Sequence, residues 1–197
     1  MCAIIGITGK VKTDLIKKLF IESQVRGRHA TGVSYYKGGK VYTIRESVPA
    51  EQFVEIQNPS DWFEDENITM IGHCRYSTSD LEYNQPIAKG NRSLVHNGVI
   101  TQEEPYKWAQ MYGYQCEGKN DTELLFESWD AEVWSDSSIA CIFLEDDKMK
   151  WTRNGRRPMW ITKTDHATII TSTKDIAVRA GLKNPVRVDY EGKDLQP

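Results

Sequence analysis

The chain has 197 residues, 39% of them hydrophobic and 27% charged, with a formal net charge of -3. That composition belongs to an ordinary globular domain with one sizeable core, and one domain over 1–197 is expected. Acidic and basic residues interleave, so no basic block points to nucleic acid and no basic amphipathic helix to a membrane surface. There is no charged-then-apolar leader and no apolar run of membrane-spanning length, which sets a cytoplasmic expectation. The four cysteines (Cys2, Cys74, Cys116 and Cys141) have neither CxxC pairing nor zinc-site spacing, so no metal, cofactor or disulfide is expected.

In chain order, Cys2–Thr8 is an apolar run ending at Gly9 and predicts a buried strand. Thr13-Asp14 opens a helix whose Leu15, Ile16, Leu19 and Phe20 share a face, closed by Gly27. A polar turn, 26–32, leads into a strand over 33–37, and Gly38-Gly39 joins it to a second over 40–45. A short helix is expected over 50–57, then a loop or ragged helical turn over 59–66. Ile68–Tyr76 reads as a central strand and Ser77–Asn91 as a long loop, suspect as a lid. Another strand is expected over 93–100, a helix over 103–112 stopped by Gly113, and a capped helix from 120 to about 131. Strands over 138–144, 148–153, 159–162 and 167–171, a helix over 174–181 and a strand over 186–190 complete the chain. Two antiparallel batches of strands with helices between them predict α+β, with helices layered outside the sheets.

Several residues carry possible chemistry. A small residue follows Met1, so trimming would leave Cys2 first, its thiol and α-amine on one carbon. An α-amine ordinarily titrates at about 7.7–8.0 and a thiol at about 8.5, so the amine suits the role of base to the sulfur. Cys2 equally suits the start of a buried strand. Arg75, at the end of an apolar strand, fits bidentate capture of a carboxylate or a surface ion pair. Asn97-Gly98 fits a two-donor oxyanion pocket or a turn. Asp121 reads foremost as a helix cap and secondarily as a ligand for an amine. Together, a thiol, an oxyanion pocket, an arginine and an aspartate are what cutting a side-chain amide of an amino acid requires.

The ordered blocks Cys2, Arg26-Gly27, Gly72-His73-Cys74-Arg75-Tyr76-Ser77-Thr78, Asn84-Gln85-Pro86, His96-Asn97-Gly98 and Asn120-Asp121-Thr122-Glu123 resemble the class II glutamine amidotransferases. The resemblance covers about residues 2–126. It implies the N-terminal-nucleophile hydrolase fold, a four-layer αββα sandwich of two antiparallel sheets. It also implies a glutaminase that passes through a γ-glutamyl thioester on Cys2. Asn97 and Gly98 would hold the oxyanion, Arg75 the α-carboxylate and Asp121 the α-ammonium of L-glutamine. Arg26 would order the nucleophile, while His73, Thr78 and the 77–91 loop would frame the pocket. Ala3, His29, Ala30 and Asp80 depart from the family's usual residues. No synthase half is expected within these residues, so either a separate protein accepts the ammonia or the protein is a free-standing amidohydrolase. The alternatives are a hydrolase of another γ-glutamyl amide, an inactive binding module, or a papain-like pair with His73 or His96 as base.

Overall fold

The computed structural model describes residues 1–63, 67–77, 83–118, 120–128, 134 and 136–189. The alternation of apolar residues builds two stacked antiparallel sheets. In chain order the first elements are β1 (Ala3–Lys10), α1 (Thr13–Ser23), β2 (Ala30–Lys37), β3 (Lys40–Glu46), α2 (Ala50–Ile56) and β4 (Asn67–Arg75). Then come β5 (Ile87–Lys89), β6 (Arg92–His96), α3 (Trp108–Tyr112), β7 (Ala140–Glu145) and β8 (Lys148–Arg153). The chain closes through β9 (Trp160–Lys163), β10 (Ala167–Thr171), α4 (Lys174–Arg179) and β11 (Val186–Arg187). Among the described residues one sheet has seven strands, ordered β11-β9-β10-β1-β4-β2-β3, and the other four, β5-β6-β7-β8.

Three apolar layers separate these elements. Ala3, Ile5 and Ile7 of β1 face outward to Ile16, Leu19 and Phe20 of α1, joined by Phe53 and Val54 of α2 and Ile176 and Ala177 of α4. Neighbours on a strand point to opposite faces. Ile4 and Ile71 therefore face inward, where they meet Val95, Ala140, Ile142 and Met149 of the second sheet. Leu94, Ile139 and Cys141 on the far side of that sheet pack against Trp108, Leu124 and Leu125. The expected α+β sandwich of two antiparallel sheets with helices outside is what the structure has.

One polar chain crosses the inner apolar layer. The Ser93 hydroxyl donates to Ile87 O (3.1 Å). Ser34 Oγ lies 2.7 Å from Ser93 Oγ and 2.7 Å from Thr43 Oγ1. Since the Ser93 proton is committed, Ser34 donates to Ser93 and Thr43 to Ser34.

Several boundaries differ from expectation for physical reasons. The strand expected over 93–100 ends at His96, and beyond Gly98 the chain rejoins only through an isolated bridge between Val99 and Ser138. The loop expected over 77–91 contains β5, which pairs with β6 (Ile87 with Leu94). The helix expected over 103–112 is a 3-10 turn (Pro105–Lys107) followed by α3, and the helix from 120 is a 3-10 turn, Asp121–Phe126. The last helix stops at Arg179, and β11 covers only Val186–Arg187 of the strand expected over 186–190. Gly27 does not close α1, which ends at Ser23 before a 3-10 turn over Gln24–Arg26. Gly27 is needed for close approach: a Cβ there would stand 2.3 Å from the Arg75 carbonyl carbon. Residues 64–66, 129–131 and 190 of the expected elements lie outside the described residues.

Candidate active site

The centre of the larger sheet sets the site. Ala3 pairs with Cys74 and Ile4 with His73, so one further step along the register brings Cys2 beside Arg75. Alternation from Ile4 and Ile71, which face the second sheet, turns Cys2, His73 and Arg75 to the same inner side. Cys2 is half-buried, with Sγ 3.9 Å from Tyr76 O. Its carbonyl accepts from Arg26 Nε at 2.9 Å. Burial lowers the Arg26 pKa, and the nearby Cys2 opposes that shift. Arg26 Nη2 and Arg157 Nη1 each reach the Met1 sulfur at 3.6 Å. Cys74, by contrast, is fully buried on the other face, where burial pushes its thiol pKa up, with a smaller contribution from Cys2. That thiol is inert.

The end of β6 supplies the opposing wall. Val95 faces inward, so Asn97 does too, and its N–H still donates to Ala140 O (2.8 Å). Asn97 is 2% exposed, and among the described residues its Nδ2 has no hydrogen-bond partner. A buried amide nitrogen without an acceptor is costly, about 1–3 kcal/mol, unless a ligand completes it. Among the described residues Gly98 N–H has no acceptor either, whereas Val99 N donates to Ser138 O (3.1 Å). A Cβ on Gly98 would fall 1.7 Å from Ser138 O, so only glycine fits there.

The remaining expected residues fall around this centre. Arg75 Nη1 donates to Asn84 Oδ1 (2.7 Å), and Asn84 Nδ2 donates to Ser47 Oγ (3.3 Å). Asp121 is not the helix cap: Asn120 takes that place, accepting from Thr122 N. Asp121 Oδ2 instead accepts from Ile100 N (2.6 Å) and Thr101 N (3.2 Å), fixing the segment after Gly98. His73 is fully buried, and burial, reinforced by Arg75 and His96, lowers its pKa to about 3. Its Nε2 has no partner among the described residues. So weak a base does not suit deprotonation of a thiol. Thr78 and Asp80, with the rest of 78–82, lie outside the described residues.

The sequence reading placed Gln85 and Thr122 in its motif blocks, Gln85 also in the pocket-framing loop, but gave no individual role to either of them or to Ser138 and Arg157, and the fold brings all four to the same place. Gln85 Nε2 donates to Thr122 Oγ1 (3.1 Å) and Arg157 Nε to Ser138 Oγ (3.1 Å). The available signal was a run of polar residues, 84–85 and 120–123, beside apolar strands.

No family model matches the chain. It is 26% identical to a glutamine--fructose-6-phosphate aminotransferase (isomerizing) of Staphylococcus aureus over 133 residues, 64% of this chain and 22% of that protein. The protein of the same description from Streptococcus pyogenes serotype M6 is 26% identical over 181 residues, 89% of this chain and 28% of that one. The chain thus spans about a quarter of the length of these relatives. Among solved structures, glutamine phosphoribosylpyrophosphate amidotransferase from B. subtilis superposes with a TM-score of 0.73 at 20% identity, over 100% of this chain and 46% of that one. A glutamine aminotransferase class-II domain protein from Silicibacter pomeroyi gives a TM-score of 0.54 at 12% identity, over 87% of this chain and 88% of that one. The chain has the fold of the class II glutamine amidotransferase domains, an N-terminal-nucleophile hydrolase fold.

Proposed function

We propose that this chain, which has the fold of a class II glutamine amidotransferase domain, hydrolyses the side-chain amide of L-glutamine to glutamate and ammonia. It acts as a single cytoplasmic domain whose nucleophile is Cys2 after removal of Met1, and it needs no cofactor. The observation that carries this reading is the buried Asn97 Nδ2, unpartnered among the described residues, on the inner face toward which Cys2 and Arg75 also turn.

In that mechanism the Cys2 α-amine takes the thiol proton and the sulfur attacks the amide carbon. Asn97 Nδ2 and Gly98 N–H donate to the oxyanion that forms, a contribution of about 2.7–4 kcal/mol per donor where such groups have been removed. The amine hands its proton to the leaving nitrogen, ammonia departs, and water cleaves the γ-glutamyl thioester. Arg75, braced by Asn84, holds the α-carboxylate. Asp121, whose Oδ2 is engaged by Ile100 and Thr101, holds the α-ammonium through Oδ1. Arg26 fixes the Cys2 backbone through its carbonyl. His73 and Thr78 line the pocket. The ammonia passes to an acceptor protein separate from these residues.

Intact mass and a glutamine-mimicking diazo-ketone amino acid test the assignment together. The expected result is loss of Met1, one adduct on Cys2, and no glutamine hydrolysis by a folded Cys2→Ala variant. Hydrolysis near the wild-type rate by Cys2→Ala, or full activity with Met1 still attached, overturns it. Faster turnover of other γ-glutamyl amides than of glutamine would reassign the substrate.

A further inference from the structure

Immediately before Asn97-Gly98 sits a closed set of hydrogen bonds whose proton positions are all determined. Gln85 Oε1 accepts from His96 N (2.6 Å), which orients the Gln85 amide. Its Nε2 must then donate, and does so to Thr122 Oγ1 (3.1 Å). On the other side, His96 Nε2 faces Ser138 O at 3.1 Å. A carbonyl only accepts, so Nε2 carries the imidazole proton. Nδ1 of the neutral ring is then a lone pair, and Thr122 Oγ1, 3.1 Å away, must donate its hydroxyl proton to it. The order runs Gln85 to Thr122 to His96 to Ser138, and no member can be turned round without setting two donors or two acceptors against each other.

The circuit is buried, with Gln85 7%, His96 2% and Thr122 1% exposed. Its end point, Ser138 O, is the atom against which Gly98 is pressed and one that Val99 N–H bonds. We propose that Gln85, Thr122 and His96 are positioning residues that hold the Asn97–Gly98 donor pair in register with the reacting carbon, His96 acting as a neutral imidazole protonated on Nε2. The inference rests on the glutaminase reading for its catalytic consequence and on geometry alone for its tautomer.

The surroundings fit a neutral ring. Burial lowers the His96 pKa, and the Arg157 guanidinium lowers it further. Asp121 and the hydrogen bond to the Ser138 backbone pull the other way. Across the sheets His73 is itself held neutral. A proton added at Nδ1 would force Thr122 to accept from both His96 and Gln85 and strand its own hydroxyl proton. The same arrangement removes His96 as a base for the sulfur, because its one lone pair is already occupied.

Two measurements test the circuit. Long-range proton–nitrogen NMR of the unliganded wild-type protein, with His96 assigned by its absence from His96→Asn, is expected to show a neutral Nε2-protonated ring from about pH 5.5 to 8. A titration within that range, or the Nδ1 tautomer, overturns the proposal. Thr122→Val keeps the side-chain shape and removes the hydroxyl. It is expected to lower kcat about tenfold or more with KM for glutamine within about twofold, since a displaced oxyanion donor matters in the transition state only. Thr122→Ser is expected to return kcat to within about threefold of wild type. An unchanged kcat in Thr122→Val, or a change confined to KM, overturns it. If wild-type protein hydrolyses no glutamine, the functional reading fails, while the NMR result still decides the circuit.

Discussion

The two outer faces of the sheet pair are covered in opposite ways. Over the seven-stranded sheet lie α1, α2 and α4, packed through apolar side chains such as Ile16, Phe20, Phe53 and Ile176. Phe20 also contacts Trp62 edge-on, with ring centroids 6.0 Å apart. Over the four-stranded sheet Trp108, Leu124 and Leu125 form an apolar layer too, but they sit on short turns that are also fastened by side-chain hydrogen bonds. Three consecutive residues of one turn bind four separate places: Asp121 the 100–101 backbone, Thr122 the His96 ring and Gln85, and Glu123 the 117–118 backbone. Apolar contact stabilises by area and has no direction. A hydrogen bond fixes an atom within a few tenths of an ångström. The cover of the four-stranded sheet, whose β6 leads into the proposed donor pair Asn97-Gly98, is accordingly the one that adds directional bonds to its apolar packing, and the cover of the seven-stranded sheet serves as the frame.

That contrast can be broken or sharpened at three strengths. The largest effect is expected from Phe20→Ala, which empties the centre of the apolar cover. Chemical denaturation should show a loss of about 3–5 kcal/mol, with kcat of the remaining folded protein unchanged. A kcat that falls in proportion would show that the frame and the site are not separable.

Next comes pH, read at the layer between the two regions. His73 has a folded pKa of about 3, against about 6.5 in the unfolded chain. Between those values the unfolded state binds a proton that the native state refuses. The stability is therefore complete above about pH 6.5 and is lost as pH falls toward about 3. The slope from His73 is about 1.4 kcal/mol per pH unit, and His96, shifted in the same direction, adds to it. Denaturant midpoints measured from pH 7 to 4.5 should fall accordingly, and His73→Gln should remove the His73 share. An unaltered slope in His73→Gln would show that this ring is not held neutral.

The smallest of the three is Glu123→Gln. The Glu123 carboxylate accepts from Glu117 N (2.7 Å) and Gly118 N (2.6 Å) and pairs with Lys89 at 3.1 Å. An amide would satisfy one of these donors and leave Lys89 with only the longer pairing to Glu127 at 3.7 Å, a loss of about 2 kcal/mol. No change in the denaturation midpoint would mean that apolar packing alone holds this cover.

Much of the frame was readable from local pattern. The apolar runs at 3–10 and 67–75, the Gly38-Gly39 hairpin and the apolar face of α1 all depend on neighbours in sequence, and each lies within a residue or a few of its expected bounds. The site was readable where polar residues interrupt apolar strands, as at Arg75 and Asn97. What escaped depends on distant partners. Gln85 and Thr122 meet across 37 residues, and neither has a local reason to be buried. Gly27 looked like a helix stop, but its requirement comes from the Arg75 backbone, far along the chain. Asp121 and Asn120 compete for the same cap by sequence, and only the position of the Ile100 and Thr101 amides assigns them. The early end of β6 is instead local, since the ladder is interrupted only around Gly98 and is rejoined in the same register at Val99 and Ser138, just ahead of β7.

The hydroxyl chain Thr43–Ser34–Ser93–Ile87 has a bearing on how Cys2, the proposed nucleophile, is set against Asn97. Two sheets held only by greasy side chains are free to slip past one another by small amounts, because sliding barely alters the area in contact. The one link of that chain that spans the two sheets, Ser34 to Ser93, resists that shear, because a hydrogen bond weakens as its length and angle leave their optimum. The gap between the sulfur on one sheet and the Asn97 amide on the other is thus gauged by a bolt placed elsewhere in the sandwich.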